Sequence, residues 1–257
     1  LILYCVCYNL LVILNIKNFK YIIVVLTLFG VLACKKKVEE APDVGYDYAP
    51  VTLGKYIVYD VDSTVYTDIG DTIYNKYRIK EKLEENFTDN QGREAVKLAR
   101  YIKKYNDTVG YDNIPWVLKD VWNLVKTSTT LEVVEEDVRL TKLIFPVRED
   151  ATWNGNAQNT MGEWEYLYKY IDKKENINGA TFDNVLFVEQ KDDKSKNAIH
   201  RQYFIEKHAK NVGLVYREIK DLYSNHITIV NGGASPVETR IEKGIIYKQT
   251  YVTHGTE

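Results

Sequence analysis

The stretch Ile57-Val58-Tyr59-Asp60-Val61-Asp62-Ser63-Thr64-Val65 alternates with a period of two. Ile57, Tyr59, Val61 and Val65 fall on one face, and Asp60, Asp62 and Thr64 on the other. Successive strand side chains point to opposite faces, so this pattern predicts a half-buried β-strand. Asp68, Gly70 and Asp71 supply a turn. Ile73, Tyr77, Ile79 and Leu83 then alternate against Tyr74, Lys76, Arg78, Lys80 and Lys82. The two runs read as a hairpin.

The same reading carries outward along the chain. Residues 93–104 fit a strand better than a helix, because their neighbours are strands. Further strands are expected at residues 116–125, 130–134, 138–147, 164–171, 182–190, 202–206, 213–220 and 245–253. Asn176-Ile177-Asn178-Gly179 is a turn, 191–196 a solvated tip, and His208 to Asn211 a break. Twenty-one Tyr against one Met agree with a β-rich chain, since the ring packs on a pleated face while the hydroxyl reaches water. Short strands joined by hairpin turns predict a mainly β domain. Its expected form is a curved antiparallel sheet, as a half-barrel or a sandwich, with little helix.

The N-terminal segment is of a different kind. Lys17 and Lys20 precede an apolar run over residues 21–29, and Val31-Leu32-Ala33-Cys34 is followed by three lysines. A basic start, a short apolar core and a small residue at the cut site are the anatomy of a secretory signal. The run is shorter than the roughly 20 residues of a spanning helix. Val31 to Cys34 resembles the lipobox of bacterial lipoproteins. That resemblance implies cleavage between Ala33 and Cys34 and acylation of Cys34. The expected organisation is a signal peptide over residues 1–33, with 1–15 read as an over-extended start. A lipidated tether at 34–49 and a single β-rich domain at 50–257 follow. About 0.8 kcal/mol per buried methylene lets two or three acyl chains anchor such a protein stably.

Composition excludes several classes. The net charge is −2, and removing Lys17 and Lys20 with the signal makes it more negative, so nucleic acid is not an expected partner. Cys5, Cys7 and Cys34 are the three cysteines, which leaves the expected domain without a thiol, a disulfide or a cysteine metal site. His200, His208, His226 and His254 show no metal-ligand spacing. The acidic run Glu132, Glu135, Glu136 and Asp137 lacks the alternating ligands and Gly of a calcium loop and reads as a charged edge or turn. No nucleophile elbow or phosphate loop occurs. The sequence therefore implies no cofactor, no metal and no catalytic residue.

Two features carry weaker chemistry. Asp60 and Asp62 lie about 7 Å apart on one strand face, a spacing that a glycan hydrolase could use as acid and base. The loop around Trp153, Asn154 and Asn156 offers an apolar ring beside amide groups, which suits a sugar or a peptide end. Its structural alternative is a core plug with a tight Asn154-Gly155 turn.

Three segments together resemble an uncharacterised lipoprotein family of Bacteroidota-type bacteria. They are Gly92-Arg93 through Arg100-Tyr101, then Lys142-Leu143-Ile144-Phe145-Pro146-Val147 with Thr152-Trp153-Asn154-Gly155-Asn156, and Val212-Gly213-Leu214-Val215-Tyr216-Arg217-Glu218. The resemblance implies an envelope location and a β-rich domain, and it implies no activity. The expected protein is a membrane-anchored envelope lipoprotein acting as a non-catalytic binding or assembly module, with an envelope protein or glycan as partner. A glycan hydrolase and a carrier of hydrophobic ligands are the alternatives.

Overall fold

The computed structural model describes residues 42–193, 198–230 and 233–257. The expected signal, the lipobox-like segment and Cys34 lie outside the described residues, as do residues 194–196 of the tip expected at 191–196. The compact unit is Asp43–Glu257. Among the described residues no helix is long and apolar enough to cross a membrane.

The chain is mainly antiparallel β, as the alternation requires. Its strands are β1 (Lys55–Tyr66), β2 (Thr72–Thr88), β3 (Glu94–Lys104), β4 (Val117–Lys126), β5 (Thr130–Glu135), β6 (Val138–Ile144), β7 (Thr152–Asn154), β8 (Glu165–Ile177), β9 (Ala180–Asp192), β10 (His200–Ala209), β11 (Gly213–Tyr223), β12 (Ile229–Val230), β13 (Gly233–Ala234) and β14 (Lys243–Thr256). Twelve of them form one sheet in the order β6-β5-β4-β3-β2-β1-β14-β11-β10-β9-β8-β7, while β12 and β13 pair alone. The hairpin read from residues 57–83 is β1 and β2, with Val61 facing Tyr77 and Asp60 facing Arg78.

The sheet curls into a nearly closed barrel. Register shifts at Val58/Tyr59, Leu83/Asn86, Arg100/Tyr101, Leu131/Glu132 and Lys207/His208 punctuate the ladders. Each such bulge bends its strand and increases the local twist. The shift at Lys207/His208 stands where the sequence reading placed a break: β10 continues through it to Ala209, because a bulge absorbs the irregularity without ending the ladder.

Closure happens between β6 and the β7–β8 edge. The Thr141 N–H donates to Gly155 O at 2.8 Å, and the Trp153 indole N–H donates to Thr141 O at 2.8 Å. Tyr168 hydroxyl donates to Ile144 O and accepts the Ile144 N–H, both at 2.8 Å. These bonds satisfy backbone groups that an open edge would expose. Gly155 sits where a Cβ would fall 2.4 Å from Tyr166 Cζ, so only glycine permits this close approach.

Two hairpins show why the turns fall where they do. Asn178 and Gly179 have φ of 52° and 83° between paired Ile177 and Ala180. Glu136 and Asp137 have φ of 46° and 65° between paired Glu135 and Val138. Both are two-residue turns with positive φ, whose twist matches that of the flanking strands. The acidic run is thus divided. Glu136 and Asp137 form the turn, Glu135 points into the lumen from β5, and Glu132 is buried on the opposite face, paired with Arg93 and Arg139.

Candidate functional site

The barrel encloses a cavity of about 110 Å³. One side is apolar, built by Leu83, Leu98, Leu124, Leu131 and Val133 from β2 to β5. The other side is ionic. Glu206 on β10 and Arg217 on β11 are direct register partners, and both point into the lumen. Arg217 Nη2 lies 2.8 Å from Glu206 Oε1, and Lys142 Nζ of β6 lies 2.6 Å from the same oxygen. Glu135 Oε1 takes Lys142 at 3.1 Å and Arg217 at 3.0 Å. The cluster therefore joins strands β5 and β6 to strands β10 and β11, which are far apart in the sheet order. A second inward group lies beside it. Arg100 holds Glu81 at 3.1 Å and Asp120 at 3.0 Å, with its guanidinium 3.6 Å from the Trp122 ring centroid.

These groups are almost entirely out of water. Lys142 is 5% exposed, Glu206 1%, His208 4% and Arg217 8%. Burial by itself would raise the carboxyl pKa of Glu206. The facing charges of Lys142 and Arg217 overcome it and hold the carboxyl well below its ordinary range. The same competition lowers Glu135, against burial, through Arg217 and Lys142. Burial would lower Lys142, yet Glu135 and Glu206 raise it. All three are therefore ionised at neutral pH. Burial pushes the Tyr166 hydroxyl up to about 12.

A strap of residues 43–54 covers one end of the lumen. Tyr48, in a short 3₁₀ turn, is 1% exposed. Its hydroxyl donates to Asp172 Oδ1 at 2.8 Å. Lys126 Nζ holds Tyr46 O and Ala49 O, both at 2.7 Å. The Asn211 N–H reaches Asp47 O at 2.7 Å, and the Gly54 N–H reaches Leu83 O at 2.7 Å. Tyr48, Ala49, Pro50 and Val51 consequently line the cavity. The reading of residues 34–49 as tether thus meets packed residues from Asp43 onward, because apolar Val44, Tyr48 and Ala49 find core partners.

The residues singled out in the sequence lie elsewhere. Trp153, Asn154 and Asn156 form the barrel seam. The Trp153 ring packs 5.7 Å from Tyr166 and 4.5 Å from Tyr168. Asn154 Oδ1 accepts the N–H groups of Asn156 and Trp164 at 2.9 and 3.0 Å. Asn156, 3% exposed, donates to Gly162 O at 2.7 Å. Asp60 and Asp62 face outward in a shallow groove with Tyr105 and Tyr111. Asp60 accepts Arg78 Nε–H at 2.7 Å, and Asp62 is exposed. The pair lacks the desolvated acid that glycan hydrolysis needs. Among the described residues no group of three or more His, Cys, Asp and Glu is placed to hold a metal.

Fold and lumen together define a β-barrel whose interior is part apolar and part ionic. No family model and no curated protein matches the chain. Two solved structures are similar in outline. One is a candidate exported protein with a YmcC-like fold from Bacteroides fragilis NCTC 9343, at 12% identity and a TM-score of 0.40, covering 80% of this chain and 98% of that one. The other is a DUF1329 family protein from Desulfovibrio piger ATCC 29098, at 11% identity and a TM-score of 0.22, covering 84% of this chain and 94% of that one. At these scores the likeness carries no functional information.

Proposed function

We propose that this chain is a non-catalytic binding module of the bacterial envelope, anchored through Cys34, whose barrel lumen takes a small hydrophobic ligand or the end of a larger one. The observation that supports it is the lumen, where five aliphatic side chains face one cavity under a strap. Its volume of about 110 Å³ is somewhat below the ~150 Å³ of a dry apolar cavity that admits benzene. Small-molecule sites are commonly of this kind, concave and mostly apolar with a few placed polar groups. An envelope glycan or protein partner would then contact the outer face.

The test is titration of the purified full chain with cyclohexane, read by calorimetry and by thermal shift. Binding is expected in the wild type and lost in Val133→Phe, which fills the lumen. Retention of the far-ultraviolet circular dichroism spectrum in that variant shows that the barrel persists. Absence of any heat or shift with the wild type sinks the reading.

A further inference from the structure

Resting on that reading of the lumen, we infer that its ligand carries an uncharged hydrogen-bond acceptor, an ester or ketone carbonyl, rather than a free carboxylate. The argument is one of charge and donor counting around the cavity.

Lys55, Lys142 and Arg217 are the lysine and arginine side chains that line the cavity, and Glu81, Glu135 and Glu206 are its carboxylates. The two sets balance. The buried cations are moreover already engaged, because Glu206 and Glu135 each take both Lys142 and Arg217 within 3.1 Å. A carboxylate entering the Glu135–Glu206 pole would find Lys142 and Arg217 already committed, while Lys55, the third lining cation, donates to Asn211 O. The entering carboxylate would lose its hydration against carboxylates already present, and that desolvation is the dominant cost of a buried ion.

The hydrogen-bond inventory is not balanced in the same way. The Glu206 oxygens and His208 Nε2 also make no hydrogen bond, but they stand in ion-pair contact with Lys142, Arg217 and each other, and two donors remain beyond them. Arg217 leaves its Nε–H without an acceptor, and Trp122 leaves its indole Nε1–H without one. Both residues are more than nine-tenths buried and both line the cavity. They are neighbours, with the guanidinium carbon 5.7 Å from the Trp122 ring centroid. Arginine and indole nitrogens can only donate. A buried donor without a partner costs about 1–3 kcal/mol, so an arriving acceptor gains what these two donors forgo. An oxygen that accepts without bringing charge satisfies both counts. Its apolar remainder would lie along Leu83, Leu98, Leu124, Leu131 and Val133.

The experiment compares methyl hexanoate, sodium hexanoate and cyclohexane on the purified full chain at about pH 8, where the acid is ionised. Methyl hexanoate is expected to bind at least about 100-fold more tightly than hexanoate, the penalty of burying a charge. Trp122→Phe keeps an aromatic ring and removes one donor. It is expected to weaken the ester about fivefold more than it weakens cyclohexane, whose change reports packing alone. Equal binding of ester and acid overturns the inference. So does an equal loss of ester and cyclohexane in Trp122→Phe, because that pattern belongs to packing and not to a donor. If cyclohexane binds and the ester does not, the inference fails while the lumen reading stands. If neither binds, both fail.

Discussion

Glu206→Gln should destabilise the barrel far more than any surface carboxylate change. Glu206 is 1% exposed, with Lys142 at 2.6 Å and Arg217 at 2.8 Å on one oxygen. Neutralising it leaves these two buried cations to share Glu135 alone, at 3.1 and 3.0 Å. Removing one partner of a buried ion pair costs about 3–5 kcal/mol, chiefly through the charge left uncompensated. Glutamine can still accept a hydrogen bond, so the lower end, about 3 kcal/mol, is expected. For a domain of roughly this length that corresponds to a fall in Tm of about 6–12 °C. Glu257→Gln is the control. Glu257 pairs with Lys80 and Lys82 at 3.2 Å, but its side chain is 46% exposed, and such pairs contribute about 0–1 kcal/mol. The pH dependence gives a second check. Because the folded Glu206 pKa is depressed below 4.5, its contribution is present above the unfolded value and is lost as pH falls toward the folded value. The gap between wild type and Glu206→Gln should therefore narrow below about pH 4.5, the unfolded-state value. Differential scanning calorimetry across that range reads both effects. A variant melting within about 2 °C of wild type at neutral pH, or a gap that does not change on acidification, refutes the account of the cluster.

Gly155→Ala should weaken the seam by about 1–3 kcal/mol in urea denaturation, since the new Cβ meets Tyr166 Cζ at 2.4 Å; an unchanged midpoint would mean that the closing edges are slack. Trp153→Phe removes the indole N–H donated to Thr141 O and should accelerate hydrogen exchange at the Thr141 amide, which bonds Gly155 O across the same seam; unaltered exchange argues against closure there. Burial holds the phenols of Tyr59, Tyr168 and Tyr247 above their ordinary value of 10. Their stabilising contribution is present below pH 10 and lost as pH rises through the folded values, so alkaline difference absorbance should show a tyrosine step coinciding with loss of near-ultraviolet circular dichroism. Cys34→Ala should abolish both cleavage before residue 34 and the added acyl mass in membrane-extracted protein; a wild-type chain with residues 1–33 intact and no acyl mass removes the anchor from the proposal.

The alternation of Ile57 to Val65 makes the fold class legible because a half-buried strand writes its two environments into alternate residues. The ionic lumen defeats the same rule. In a sheet with one wet face, charge marks the outside. In a barrel with an ionic interior, Lys142 on β6 and Glu206 on β10 carry charge on the inside, next to apolar Leu143 and Ile205. Each then reads as an ordinary solvated position or a flaw in a strand. His208 falls within the break expected at His208 to Asn211 for that reason, and Glu135 reads as part of a run with the turn residues Glu136 and Asp137. The one local signal is composition within the strand, Thr141-Lys142 set in the apolar run from Leu140 to Phe145, which suggests an inward cation but names no partner. The partner is fixed by register and closure. Glu206 meets Arg217 because β10 and β11 pair antiparallel, and Lys142 meets Glu206 only because the barrel brings β6 opposite β10. The seam is legible only in part, since the core-plug alternative for Trp153 and the Asn154-Gly155 turn describe its residues, while the β6 edge they close against lies far along the sheet order. What a sequence displays is the environment of each strand taken singly, and the candidate site of this protein exists only once strands from opposite sides of the sheet face each other across the lumen.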